Sequence, residues 1–195
     1  MKSIVKSDIT AVILSGGQAT RMNHQDKGLI LFNNKPLISY VVDTIHQDVH
    51  TILVSANRNL DAYQKFGEVI TDNLPGFQGP LVGILSALIK VKTKYLLVVP
   101  CDGPFINQSL VARLLENMQQ PDVSICVATQ GQKMHPTFSL ISANLKDNLS
   151  EFLAQGNRKM SMWFKSNHAQ EVDFSDQVDL FINLNSPEDF KTFFI

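Results

Sequence analysis

Short β-branched or apolar runs alternate along the chain with segments of helical period, the pattern of a mostly parallel sheet covered by helices on both faces. The strand candidates are Ile9 to Leu14, Thr51 to Ser55, Glu68 to Thr71, Tyr95 to Pro100, Val123 to Ala128 and Phe181 to Leu184, with an antiparallel strand expected around Pro136 to Leu140. Leu37, Ile38, Val41, Val42 and Ile45 form one apolar stripe at the i, i+3, i+4 spacing of a helix. Leu81, Ile84, Leu85 and Leu88 form a second, and Leu110, Val111, Leu114, Leu115 and Met118 a third. Another helix carries Leu149, Phe152 and Leu153. A last one is announced by Ser186-Pro187-Glu188-Asp189, where a Ser cap, a Pro at the first helical position and two acids suit the positive end of the helix dipole. No repeat, low-complexity tract or linker interrupts the pattern, so residues 1–195 read as one α/β domain.

Composition narrows the class. A chain of 195 residues, 44% of them hydrophobic, can bury roughly 70% of the surface its unfolded form exposes. Its net charge of −1, with no basic stripe, gives no footprint for duplex DNA or an anionic membrane, so neither is expected as a partner. Cys101 and Cys126 lie far apart and fit neither a zinc site nor a disulfide framework. Asp8 interrupts the N-terminus before an apolar signal segment develops, and Ala11-Val12-Ile13-Leu14 is too short to serve as one. The longest charge-free stretch, Asn73 to Ile89, contains two prolines and three glycines and suits no membrane span. The expectation is a soluble cytoplasmic protein.

In open α/β sheets ligands bind beyond the carboxyl ends of the strands, so the segments after Leu14, Ser55, Thr71 and Pro100 should converge. After the first strand, Leu14-Ser15-Gly16-Gly17-Gln18-Ala19-Thr20-Arg21-Met22 has glycines that can turn consecutive N–H groups toward an anion. It is neither a G-x-x-x-x-G-K-[ST] loop nor a G-x-G-x-x-G fingerprint, so it is a third kind of phosphate cradle. Lys27, in Asp26-Lys27-Gly28, joins Arg21 as the second of two cations suited to a triphosphate. The plainer alternative is a tight strand-to-helix turn beside solvated charge. After the fourth strand, Asp102 puts a carboxylate at the sheet edge, where a hard oxygen ligand suits Mg²⁺ bound largely through substrate phosphates. The alternative for Asp102 is a turn or cap ahead of the helix near Asn107. Asp72 opens a shaped loop running to Leu81. It could accept hydrogen bonds from the guanine ring N–H and amine or from a ribose hydroxyl, and Gly79 would let backbone approach a base; a turn-capping Asp is the other reading.

These residues together resemble the molybdenum cofactor guanylyltransferase family, bacterial enzymes that attach GMP from GTP to molybdopterin. The matching pieces are Leu14-Ser15-Gly16-Gly17 with Arg21-Met22, Asp26-Lys27-Gly28-Leu29, Lys35-Pro36-Leu37, Ala56-Asn57-Arg58, Gly79-Pro80-Leu81 with Gly83, and Pro100-Cys101-Asp102. Later come His135-Pro136-Thr137, Asp173-Phe174-Ser175-Asp176 and Asn183-Leu184-Asn185-Ser186-Pro187-Glu188. The resemblance implies a Rossmann-like nucleotidyltransferase fold, with GTP held by Leu14, Ser15, Gly16, Gly17, Lys27, Ser55, Asp72, Gly79 and Asp102, and Mg²⁺ at Asp102. It implies that Asn183 and Asn185 lie on the molybdopterin side. The chain departs from the usual pattern with Ser15 for Ala, Asn23-His24 for Gly-Gly, Asn34 for Gly, and Ser55 where Asn is common.

A molybdopterin phosphate, largely dianionic at neutral pH, needs no general base to attack the α-phosphate of GTP. Arg21, Lys27 and Asp102 are therefore expected to catalyse by positioning and electrostatics, with pyrophosphate released. Arg158 and Lys159, after Gly156, either meet the pterin's phosphate or are solvated charges following a helix end. Met160, Met162, Trp163 and Phe164 read as core, and Asp173, Asp176 and Asp179 as surface. A molybdenum-insertion protein is a further expected partner. The competing readings are a cytidylyl- or sugar-phosphate nucleotidyltransferase sharing the loop, and a GTP-binding protein without turnover.

Overall fold

A computed structural model describes residues 3–16, 26–72, 79–184 and 189. Strand β1 (Ile9–Leu14) lies between two parallel neighbours, β4 (Thr51–Ser55) and β6 (Tyr95–Pro100), and pairs with both along nearly its whole length. Leu14 stands opposite Ser55 on one side and Pro100 on the other. β5 (Glu68–Ile70) adds outside β4. Beyond β6 come β8 (Lys133–Ser142), β7 (Ile125–Gln130) and β9 (Gln170–Asp173), giving the order β5-β4-β1-β6-β8-β7-β9. Only β8 runs antiparallel to its neighbours among these seven strands, so the expected mostly parallel sheet with one reversed strand is what forms.

Both faces are covered, which is why β1 reads as an apolar run broken only by the buried Thr10. Ile9, Ala11 and Ile13 pack with α1 (Leu37–Ile45) and α4 (Gln108–Met118). Val12 points the other way, into a core shared with α3 (Pro80–Lys90), α5 (Lys146–Ala154) and α6 (Met160–Ser166). α1 and α4 bury one stripe each, as their spacing predicts, whereas α3 is buried from Leu81 through Leu88 because α5 covers its outer side. Met160, Trp163 and Phe164 belong to that core, with the indole N–H of Trp163 donating to Asn148 Oδ1 at 2.7 Å; Met162 is exposed. No helix among the described residues is long and apolar enough to cross a membrane.

Several expectations shift. The segment Phe181 to Leu184 is not a strand: Phe181 and Leu184 are buried, but the backbone turns, with Ile182 N–H donating to Asp179 and Leu184 N–H to the carbonyl of Asp102. The apolar residues Phe181, Ile182 and Leu184 imitate a strand there. The seventh strand is instead β9, where Val172 alone is buried, too faint a period to find. The strand expected at Val123 to Ala128 starts at Ile125 and runs to Gln130, joined to β8 by a tight turn with Gly131 at φ +59°. A small hairpin, β2 (Leu31–Phe32) and β3 (Lys35–Pro36), turns on Asn33 and Asn34, both at positive φ, which Asn tolerates better than most residues. A four-residue helix, α2 (Leu60–Tyr63), follows β4. Of the final helix expected from Ser186-Pro187-Glu188-Asp189, the first three residues lie outside the described residues and Asp189 is helical. Asp173, Asp176 and Asp179 are exposed as expected, and Asp176 forms a two-pronged pair with Arg113 that ties the segment after β9 to α4.

Gly67, leading into β5, approaches β4 so closely that a Cβ would sit 2.6 Å from the backbone oxygen of Ile52. Gly67→Ala must move backbone, and is expected to lose about 1–3 kcal/mol of stability, measured by urea denaturation.

Candidate active site

The backbone ladder around β1 continues one residue past the strands. Ser15 N–H donates to Ser55 at 2.8 Å, Cys101 N–H to Leu14 at 3.1 Å and Ala56 N–H to Ile70 at 3.0 Å. Residues 15, 56 and 101 therefore leave the sheet in register, and Gly16, Asn57 and Asp102 are the first beyond it. A Cβ on Gly16 would meet nothing within 4 Å, so its backbone faces open space. Gly17 and Arg21, and the Asn23-His24 departure, lie outside the described residues, as does Asn185.

Asp102 is 8% exposed, and Lys27 Nζ stands 3.4 Å from its Oδ2. Burial pushes the Asp102 carboxyl above its ordinary value, and the charge and hydrogen bond of Lys27 pull it only part of the way back. This is a carboxylate short of positive charge. The cap of α4 is Asn107, whose side chain accepts from Ser109 N–H at 2.9 Å, so Asp102 does not cap that helix; it lies in the turn that follows β6. A Cβ on Gly103 would lie 3.3 Å from the Phe138 ring and 3.5 Å from Asn183 Oδ1, so Asn183 comes beside the Asp102 loop. Among the described residues there is no group of three or more His, Cys, Asp or Glu that could hold a metal.

On the other side of β1, Asp72 is fixed by Asn57 through two reciprocal bonds. Asn57 Nδ2 donates to Asp72 Oδ2 at 2.7 Å, and Asp72 N–H donates to Asn57 Oδ1 at 3.0 Å. Asn57 sat in the Ala56-Asn57-Arg58 piece, but its partner is fifteen residues away and no local pattern names it. Ser55 is buried under α3, where a Cβ on Gly83 would fall 2.6 Å from its hydroxyl. Gly79, at φ +87°, opens α3 ahead of Pro80. Arg158 turns its guanidinium to the carbonyls of Leu153, at 2.8 Å, and Asn157, at 2.6 Å, serving the end of α5, where Gly156 takes φ +84°; Lys159 is exposed. Arg158 is thus half-buried and hydrogen-bonded at the end of α5.

The register of β7 on β8 jumps between Val127 and Ala128, opposite Ser139 and His135. The jump holds Pro136, which has no N–H for a ladder, and turns His135 and Phe138 into the core. His135 stacks on Phe181 with ring centroids 4.2 Å apart.

The residues 11–172 match the family model of the MobA-like NTP transferase domain. Over 94% of the chain, the crystal structure of molybdopterin-guanine dinucleotide biosynthesis protein A from Archaeoglobus fulgidus superposes with a TM-score of 0.77 at 20% identity, covering 95% of that protein. The 4-diphosphocytidyl-2C-methyl-D-erythritolsynthase from Anaerococcus prevotii superposes at 0.75 with 12% identity, over 96% of both chains. The fold is that of the nucleotidyltransferases, and the chain is an enzyme of that class. The molybdenum cofactor guanylyltransferase of Vibrio vulnificus is 44% identical over 93% of both chains, and that of Vibrio cholerae 42% identical over 99% of this chain and 95% of its own. The chain belongs to the molybdenum cofactor guanylyltransferase family.

Burial, with the charge of Lys133 adding to it, pushes the His135 imidazole down from 6.5 to about 4. The folded protein then keeps His135 neutral while the unfolded chain binds a proton, so stability falls as pH falls from 6.5 toward 4. The loss attributable to His135 is expected to reach up to about 3 kcal/mol. Urea denaturation between these limits should give a shallower pH slope for His135→Phe than for the natural chain.

Proposed function

We propose that the chain transfers GMP from GTP to molybdopterin or molybdenum-molybdopterin, forming the molybdopterin guanine dinucleotide cofactor. An oxygen of the acceptor's terminal phosphate attacks the α-phosphorus of GTP, the bond from that phosphorus to the β-phosphate oxygen breaks, and pyrophosphate leaves. The observation that carries the reading is the Lys27–Asp102 pair at the carboxyl edge of β6, one strand away from the open backbone of Gly16. The names of the curated relatives support the substrates.

Asp102 fits a Mg²⁺ ion: it is a buried hard-oxygen ligand short of positive charge, and a single carboxylate with substrate phosphates and water is how this ion is commonly bound. When bound there, Mg²⁺ supplies neutralisation of charge gathering on the phosphates. Lys27 donates to the same carboxylate and carries the ammonium charge assigned to the phosphate oxygens. Leu14, Ser15, Gly16 and Gly17 line the strand end and loop that cradle the triphosphate, and Arg21 adds a second cation. Asp72, pinned by Asn57, takes hydrogen-bond donors of the guanosine, with Ser55 and Gly79 beside it. Asn183 and Asn185 are assigned to molybdopterin, and Arg158 and Lys159 to an outer part in its capture. Both thiols, Cys101 and Cys126, are buried and unpaired, in keeping with work in the cytoplasm.

The test is pyrophosphate release by the purified protein with Mg²⁺ and molybdopterin-bound molybdenum, with GTP, CTP and ATP in parallel. Release with GTP alone, together with a guanylylated pterin, is expected; release with CTP instead, or binding of GTP without turnover, overturns the reading. Lys27→Ala and Asp102→Asn are each expected to lower kcat on the order of 100-fold while leaving a folded protein, and undiminished rates would remove those residues from the mechanism.

A further inference from the structure

The carboxylate of Asp26, 8% exposed, accepts at both oxygens from the far side of the site. Tyr63 O–H donates to Oδ1 at 2.9 Å and Asn59 Nδ2 to Oδ2 at 2.9 Å. Tyr63 is fully buried in α2, and Asn59, at the start of that helix, sits at φ +49°, a conformation that costs a non-glycine residue energy and is kept where surroundings demand it. Asp26 occupies the cap position of the short turn Lys27–Leu29, yet its side chain does not cap that turn; it faces Tyr63 and Asn59 instead. Its carbonyl accepts Leu29 N–H at 3.0 Å and starts the turn.

Gly28 is pinned as well. A Cβ there would lie 2.9 Å from the Tyr63 hydroxyl and 3.1 Å from Cys101 Cβ, so the backbone presses against α2 and against the end of β6 together. Between these two fixed residues stands Lys27, whose Nζ reaches Asp102. In the sheet order β4-β1-β6, Asn59 follows β4, Asp102 follows β6, and Ser15 and Gly16 leave β1 between them. The turn thus spans the mouth of β1. A lysine ammonium rides on a flexible four-carbon stem, so its head is only as well placed as its backbone.

We infer that Asp26, held by Tyr63 and Asn59, is a positioning residue that sets Lys27 over the triphosphate, so that α2 takes part in phosphoryl transfer without touching substrate. The inference rests on the reading of Lys27 as a phosphate-binding cation. The carboxylate is the group that fits: an amide in its place would turn an N–H₂ toward one of two donors.

The experiment is a double-mutant cycle on kcat for pyrophosphate release with GTP, alongside thermal melts, using Tyr63→Phe, Lys27→Ala and their combination. Asn59→Gly is a second variant that removes the amide while accepting the positive φ. Tyr63→Phe keeps the ring and its packing, and is expected to lower kcat about tenfold or more. Combined with Lys27→Ala it should be no slower than Lys27→Ala alone, because its effect runs through the lysine. Asn59→Gly should behave likewise if Tyr63→Phe does not fold. Full activity in Lys27→Ala sinks the reading of the lysine and the inference with it. A slow Lys27→Ala with unaltered Tyr63→Phe and Asn59→Gly sinks the positioning role alone. Additive losses in the combined variant also overturn it, since they would mean that Tyr63 acts by another route.

Discussion

The site depends on β1 being hydrogen-bonded on both edges to its last residue and one step beyond. The bonds of Ser15 to Ser55 and Cys101 to Leu14 hold three chain exits at one level. A slip of one residue in either pairing would flip the alternation of Ile9, Ala11 and Ile13 against Val12 and expose one of the two cores. The packing that stabilises the sheet therefore also fixes where Gly16, Asn57 and Asp102 emerge.

On that level edge, charge is handled unequally. Asp102 is buried with one lysine beside it, which leaves its carboxylate poorly stabilised until more positive charge arrives. Asp26 is buried as deeply, but both of its oxygens have neutral donors. Asp72 is partly exposed and gripped by an amide. Asp26, ahead of the turn Lys27–Leu29, and Asp72 and Asp102, beyond β5 and β6, thus have three different environments.

Much of this was legible in the chain. β1, β4 and β6 are short, mostly apolar runs buried on both faces, so their hydrophobicity marks them directly, and the loops after them and after the edge strand β5 hold Ser15, Lys27, Asp72 and Asp102 at positions the sheet's geometry singles out. The half of the sheet beyond β6, formed by β8, β7 and β9, is harder to read. β9 buries Val172 alone, and Phe181 to Leu184 has the apolar composition of a strand but lends its backbone to Asp102 instead. Asn57, Asn59 and Tyr63 were invisible as site residues because what matters is their partner, and each partner lies fifteen or more positions away.

The bond from Leu184 N–H to the carbonyl of Asp102 also orders events in time. As the chain leaves the ribosome, β1, β4, β5 and β6 are all available long before Leu184 is made. The parallel half of the sheet can gather first, but the loop bearing Asp102 gains this closing bond only after Leu184 emerges. A nascent chain that stops short of Leu184 therefore owns that half of the sheet and lacks the closing bond on its edge.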